Sequence, residues 1–125
     1  MPADRRAPPI VVVVEDDDAV RTALTFTLQM DELRVIPLES GEALLALEPP
    51  APPACLVLDQ VLNGISGLDA LSVLREQGVA LAAILITSHP NAAVRQKARD
   101  LGATIVEKPL LGDLLRAAIT QALDA

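Results

Sequence analysis

Apolar residues along this chain fall into two kinds of run. Short continuous runs bounded by turn residues predict strands near Ile10–Val14, Val35–Leu38, Cys55–Leu58, Ala83–Ile86 and Thr104–Val106. Several have no alternating polar face, so they are expected to be buried on both sides, as in a parallel sheet covered by helices. Between them, apolar positions recur at spacings of three and four, which predicts helices. Val20, Ala23, Leu24, Thr27 and Leu28 share one helical face, and Leu111, Leu114, Leu115, Ala118, Ile119, Ala122 and Leu123 make the clearest stripe. Ser40 and Asn91 stand where helix-capping residues belong, and Gly78 and Gly102 stand where helices end. The helix starting at Asn91 has the thinnest apolar face, Val94, Ala98 and Leu101, and is expected to be the least buried. The stretch "EPPAPPA", Glu48 to Ala54, cannot be helical throughout.

Five strands alternating with five helices predict an α/β fold, a doubly wound five-stranded parallel sheet with right-handed crossovers. At 125 residues the chain is one domain by length. Residues 1–9, with their prolines, are expected to form a loose tail ahead of a folded domain over residues 10–125.

In such sheets ligands bind beyond the carboxyl ends of the strands. Glu15 and Asp16 follow the first strand, Asp59 the third, Thr87 ends the fourth, and Lys108 with Pro109 follows the fifth. Asp17 and Asp18 are expected in the first helical turn, where they complement the helix dipole. Taken singly, each of these residues has an ordinary structural explanation as a cap, a solvated loop acid or a surface lysine. Jointly they would bring three acids, a hydroxyl and an ammonium to one edge. Massed carboxylates repel one another and resist desolvation unless a cation compensates. With no cysteine ligand beside them, the carboxylates suit a hard cation, most naturally magnesium. An aspartate in that setting can act as a nucleophile towards phosphorus, with positive charge around the phosphoryl oxygens supplied by the metal and Lys108.

Composition narrows the reading. The apolar fraction of 51% is enough for a sizeable core, and the net charge of −7 with 1% aromatic residues argues against nucleic acid as a direct partner of this segment. The single cysteine, Cys55, excludes an internal disulfide and reads as a buried, inert thiol. No stretch approaches the length of a membrane span, and no targeting segment is recognisable, so a cytoplasmic location is expected.

The segments "VVVVEDDDAVRTAL", "VLDQVLNGISGLDAL", "ILITSH" and "GATIVEKPL" resemble the receiver domain of bacterial two-component response regulators, over about Ile10 to Leu123. The resemblance implies a flavodoxin-like strand order, 2-1-3-4-5. It implies that Asp59 is the phosphoacceptor, that Asp16 ligates magnesium directly and Glu15 through water, and that the Val61 backbone carbonyl completes the protein's share of the metal shell. It makes Thr87 the switch hydroxyl and Lys108 the holder of a phosphoryl oxygen, with a cis bond to Pro109. The implied partners are a sensor histidine kinase or phosphotransfer protein, a C-terminal output domain absent from this chain, and a second copy in a homodimer on phosphorylation. The implied role is a signalling module rather than an enzyme, switching the face made by the fourth helix, fifth strand and fifth helix. The pattern looks closest to receivers that precede a helix-turn-helix transcription module.

Three departures stand out. Leu62 and Asn63 occupy the place of the family's usual Met-Pro, which is expected to loosen the loop carrying the Val61 carbonyl and weaken metal binding. Ile105 replaces the usual aromatic residue three positions before the lysine, and the first acid is Glu15 where aspartate is common. Other reaction classes fit less well. A dehalogenase-type phosphatase needs an aspartate where Val61 stands. A nucleotide-binding module of similar topology needs a glycine- or hydroxyl-rich loop where the acids stand. The remaining alternative is a receiver-like protein-binding module that signals without phosphorylation.

Overall fold

A computed structural model describes residues 8–110 and 113–124. Residues 1–7 of the expected tail, and Leu111 of the expected last stripe, lie outside the described residues. The elements alternate as β1 (Ile10–Val14), α1 (Asp18–Met30), β2 (Arg34–Leu38), α2 (Gly41–Ala46), β3 (Ala54–Asp59), α3 (Gly67–Glu76), β4 (Ala82–Thr87), α4 (Ala92–Asp100), β5 (Ala103–Glu107) and α5 (Leu114–Asp124). The five strands form one parallel sheet in the order β2-β1-β3-β4-β5. This is a doubly wound sheet, as the alternation of strands and helices predicts, in the flavodoxin-like order that the resemblance implies.

Strand residues point alternately to the two faces, so each interior strand feeds two cores. Val12, Val14, Leu56, Leu58 and Leu85 pack with residues of α2, α3 and α4. Val11, Val13, Cys55, Val57, Ile84 and Ile86 pack with residues of α1 and α5. All six residues of β3 are buried, which is why the strand reads as an unbroken apolar run up to Asp59. The edge strands β2 and β5 are only partly buried, and Pro37, which lacks a ladder donor, sits on an edge. Cys55 is fully buried, and burial pushes its thiol up to about 11, as expected of an inert core cysteine.

The helix ends follow their sequence signals. The side chains of Asp17, Ser40, Ser66 and Asn91 each accept a main-chain N–H three residues on. Gly78 and Gly102 take positive φ just past α3 and α4. The buried strip of α1 differs from the expected one: Leu28 is buried and Leu24 half-buried, while Val20, Ala23 and Thr27 are exposed. The helix is rotated so that Arg21 and Thr25, rather than Val20 and Thr27, share the inner side with Leu24 and Leu28. In α4 the one buried side chain is Ala98, so this helix is held by the least apolar surface, as expected. Arg75, near the end of α3, donates from Nε to the Leu101 carbonyl (2.9 Å) and from Nη1 to the Val79 and Leu81 carbonyls (2.8 Å each). No helix among the described residues is long and apolar enough to cross a membrane.

Candidate functional site

The parallel register brings the strand ends together. Val14 lies beside Leu58, Asp59 beside Ile86 and Thr87 beside Glu107, so the residues that follow share one edge. Main-chain bonds continue the ladders past the strands, from Glu15 N–H to the Leu38 carbonyl, Gln60 N–H to Ile86 and Lys108 N–H to Thr87. The Lys108–Pro109 peptide is cis, as expected.

Asp59 is 4% exposed and carries two different partners. Its Oδ2 pairs with Lys108 Nζ at 3.1 Å, and its Oδ1 accepts the Val61 N–H at 3.3 Å. Glu15 is equally buried. Its carboxylate accepts the Asp17 N–H (3.1 Å), and its carbonyl accepts Arg21 Nη1 (2.8 Å). Asp16 is half-buried, and its Oδ2 accepts the Asn63 N–H at 3.0 Å. Thr87 is buried, and its hydroxyl makes a long contact of 3.4 Å to the Ser88 carbonyl. Val61 is exposed at the rim. All six residues singled out in the sequence therefore lie at one end of the sheet, though Thr87 makes no hydrogen bond to Asp59 among the described residues.

The electrostatics are unbalanced. Glu15, Asp16 and Asp59 can each offer a carboxylate oxygen, all three within 4.8 Å of one another, while the ion pair among them is that of Asp59 with Lys108. Burial pushes the Glu15 carboxyl up to about 7, with the charge of Asp59 adding to the shift and the Asp17 N–H and Lys108 opposing it. Two buried acids and a third beside them, all oxygen donors, fit a small hard cation such as magnesium. A divalent ion would supply the compensating charge and a centre for phosphoryl oxygens.

Sequence reasoning missed the way the loop between β3 and α3 is tied down. Gly67 sits where a Cβ would collide with the Asp59 carbonyl, so α3 starts directly against the end of β3. The Gly67 N–H donates to the Gln60 carbonyl (3.1 Å), and the Leu68 N–H to the Gln60 side chain (2.9 Å). Ahead of that, the Asn63 N–H reaches Asp16 and the Ile65 N–H reaches Glu42 Oε2 (3.2 Å). Main-chain N–H groups of Asn63, Ile65, Gly67 and Leu68 thus all find acceptors along this stretch. A glycine in "NGISG" hinted at a tight turn, but nothing in the letters marks which main-chain N–H groups find carboxylates.

Comparison with known proteins agrees with this geometry. The chain matches the family model described as the response regulator receiver domain over residues 11–120. It is 37% identical over 114 residues to the transcriptional regulatory protein FixJ of Azorhizobium caulinodans, covering 90% of this chain and 54% of that protein. The chain thus spans about half the length of that relative. Among solved structures, the response regulator StyR superposes with a TM-score of 0.86 at 30% identity, covering 94% of this chain and 60% of that one. The structure of FixJ-N superposes at 0.82 with 29% identity, covering 95% of both chains.

Proposed function

We propose that this chain, which belongs to the response regulator receiver domain family, takes a phosphoryl group onto Asp59 from a histidine kinase or phosphotransfer protein in the cytoplasm. The observation that carries the reading is the Asp59–Lys108 pair at 3.1 Å inside a cluster of carboxylates that a single cation could bridge.

Asp59 is the nucleophile. As a bond forms from its carboxylate oxygen to phosphorus, the bond from phosphorus to the donor imidazole breaks, and the imidazole leaves. Lys108, already against the carboxylate, follows the charge onto a phosphoryl oxygen. Asp16 and Asp59 would hold magnesium directly, with the Val61 carbonyl, while Glu15 acts on it through water. Bound magnesium supplies charge neutralisation for the phosphoryl oxygens. Thr87 rotates its hydroxyl from the weak Ser88 contact to the new phosphoryl oxygen. The β4–α4 loop and α4 follow, and the surface of α4, β5 and α5 changes. The reader of that surface is an output domain or a second copy of this chain, and gene transcription is the process regulated.

The test is acetyl phosphate with magnesium, read by intact mass. The wild-type protein should gain one phosphoryl group and Asp59→Asn none. Full labelling of Asp59→Asn would sink the assignment. Thr87→Ala should still be labelled.

A further inference from the structure

The geometry points to a latch on the loop at residues 60–66, in which main-chain N–H groups of Asn63 and Ile65 dock on the carboxylates of Asp16 and Glu42 and preset Asp16 as a metal ligand. The inference rests on the metal reading of the acid cluster. It adds Asn63 and Glu42 as positioning residues.

The Asn63 N–H lies 3.0 Å from Asp16 Oδ2, and the Ile65 N–H lies 3.2 Å from Glu42 Oε2. Between them Gly64 has a φ of 87°, and a Cβ there would strike the Glu42 carboxylate. The loop therefore turns left-handed between two acceptors that come from different parts of the fold, the β1–α1 connection and α2. Each bond has a charged acceptor, the stronger kind. Proline at position 63 would have no N–H to give. Where proline stiffens such a loop through its ring, this chain holds the loop through the ligand itself.

The consequence for Asp16 is directional. With Oδ2 engaged by Asn63, the side chain loses rotational freedom before any cation arrives. Its other oxygen is left for the metal. The same bond fixes the loop on which the Val61 carbonyl rides. Outer partners of this kind orient first ligands and carry part of the affinity. On this inference Asn63 holds the loop rather than loosening it, and proline at that position should weaken magnesium binding.

The decisive comparison is Asn63→Pro against Asn63→Ala in the whole chain, with magnesium binding measured by calorimetry. Both remove the same side chain, and only proline removes the N–H. Asn63→Pro should bind magnesium about fivefold more weakly than Asn63→Ala, the effect of one net hydrogen bond. Equal or tighter binding by Asn63→Pro overturns the latch. Because proline can also disturb the turn, a second arm uses Glu42 and the metal-free protein. Amide exchange should be slower at Asn63 and Ile65 than at Gly64. Glu42→Ala should release Ile65, and Glu42→Gln, which keeps an acceptor, should restore its protection. Ile65 exchange that is unchanged in Glu42→Ala also overturns the latch. Wild-type protein that shows no magnesium binding overturns the metal reading and the latch together, an outcome separable from the two above.

Discussion

Helices α3 and α4 flank the same edge of the site but are attached in opposite ways. Helix α3 buries Gly67, Leu68, Ala70, Leu71 and Leu74, and its first residue abuts the Asp59 carbonyl with no room for a Cβ. Helix α4 fully buries only Ala98, with Val94 half-buried against the same core, and adds exposed ion pairs, Lys97 to Asp69 (2.7 Å) and Arg95 to Glu107 (3.1 Å). Apolar burial stabilises several times more per residue than exposed ion pairs. One neighbour of Asp59 is thus part of the frame, while the other rests on the frame. A signal that moves side chains by an ångström has an inexpensive element to move on one side only.

The largest test of that contrast is truncation of the frame. Leu71→Ala should lower unfolding free energy by about 2–5 kcal/mol, measured by urea titration. In α4, Ala98→Gly should lower it by about 1 kcal/mol. Equal losses at the two positions would erase the distinction drawn between the helices.

The acid cluster gives a pH dependence that belongs to the frame side. Glu15 has its folded value raised from 4.5 to about 7, so between those limits the native state holds a proton that the unfolded chain releases. Metal-free stability should therefore fall as pH rises through that window and level off above it. Magnesium must displace the same proton, so its stabilising effect should be greater at about pH 8 than at about pH 5.5, since the Glu15 carboxyl titrates near 7. Thermal unfolding with and without magnesium reads both trends. Glu15→Gln should flatten the metal-free slope, and a slope that survives in this variant assigns it to another group.

A beryllofluoride mimic of the phosphoryl group should change amide exchange most between Thr87 and Leu101 and least in α3. Thr87→Ala should blunt the response. Ile105→Ala should alter stability more than this response, because Ile105 is half-buried against the core and its β-branch leaves few alternative rotamers. Protection changes confined to α1 or α5 would place the moving element elsewhere. The smallest effect expected is that of Lys97→Ala. Loss of its exposed pair with Asp69 should change stability by about 0.5 kcal/mol or less, and should ease the α4 response slightly.

Most of the fold was legible because a buried parallel strand has no polar face to interrupt it. Cys55 to Leu58 and Val11 to Val14 could be read almost letter by letter, and the strand ends then located Asp59, Glu15 and Asp16. The rotation of α1 was not legible. Leu24 and Leu28 belong to either of two overlapping stripes, and the choice is made by the packing beneath, which half-buries Arg21 and Thr25 beside them rather than Val20 and Thr27. The tethering of the β3–α3 loop was hidden for a different reason. Its donors are main-chain N–H groups, which every residue but proline carries, so position 63 announced only the absence of proline. The partners of Arg75 are main-chain carbonyls and were hidden in the same way.

Those three carbonyls give α4 a fulcrum. Arg75 binds Leu101, the residue that closes α4, to the turn after α3 and the entry to β4, while among the described residues the Asn91 half has the single exposed pair of Arg95 with Glu107. A displacement that leaves the clasp intact is a swing about the carboxyl end. Nine residues make a lever of about 13 Å, so a tilt of about 10° carries the far end about 2 Å. The travel is greatest beside Thr87 and vanishes at Gly102. A partner that reads the first turn of α4 would sense the whole stroke, and one that reads its last turn would sense almost none.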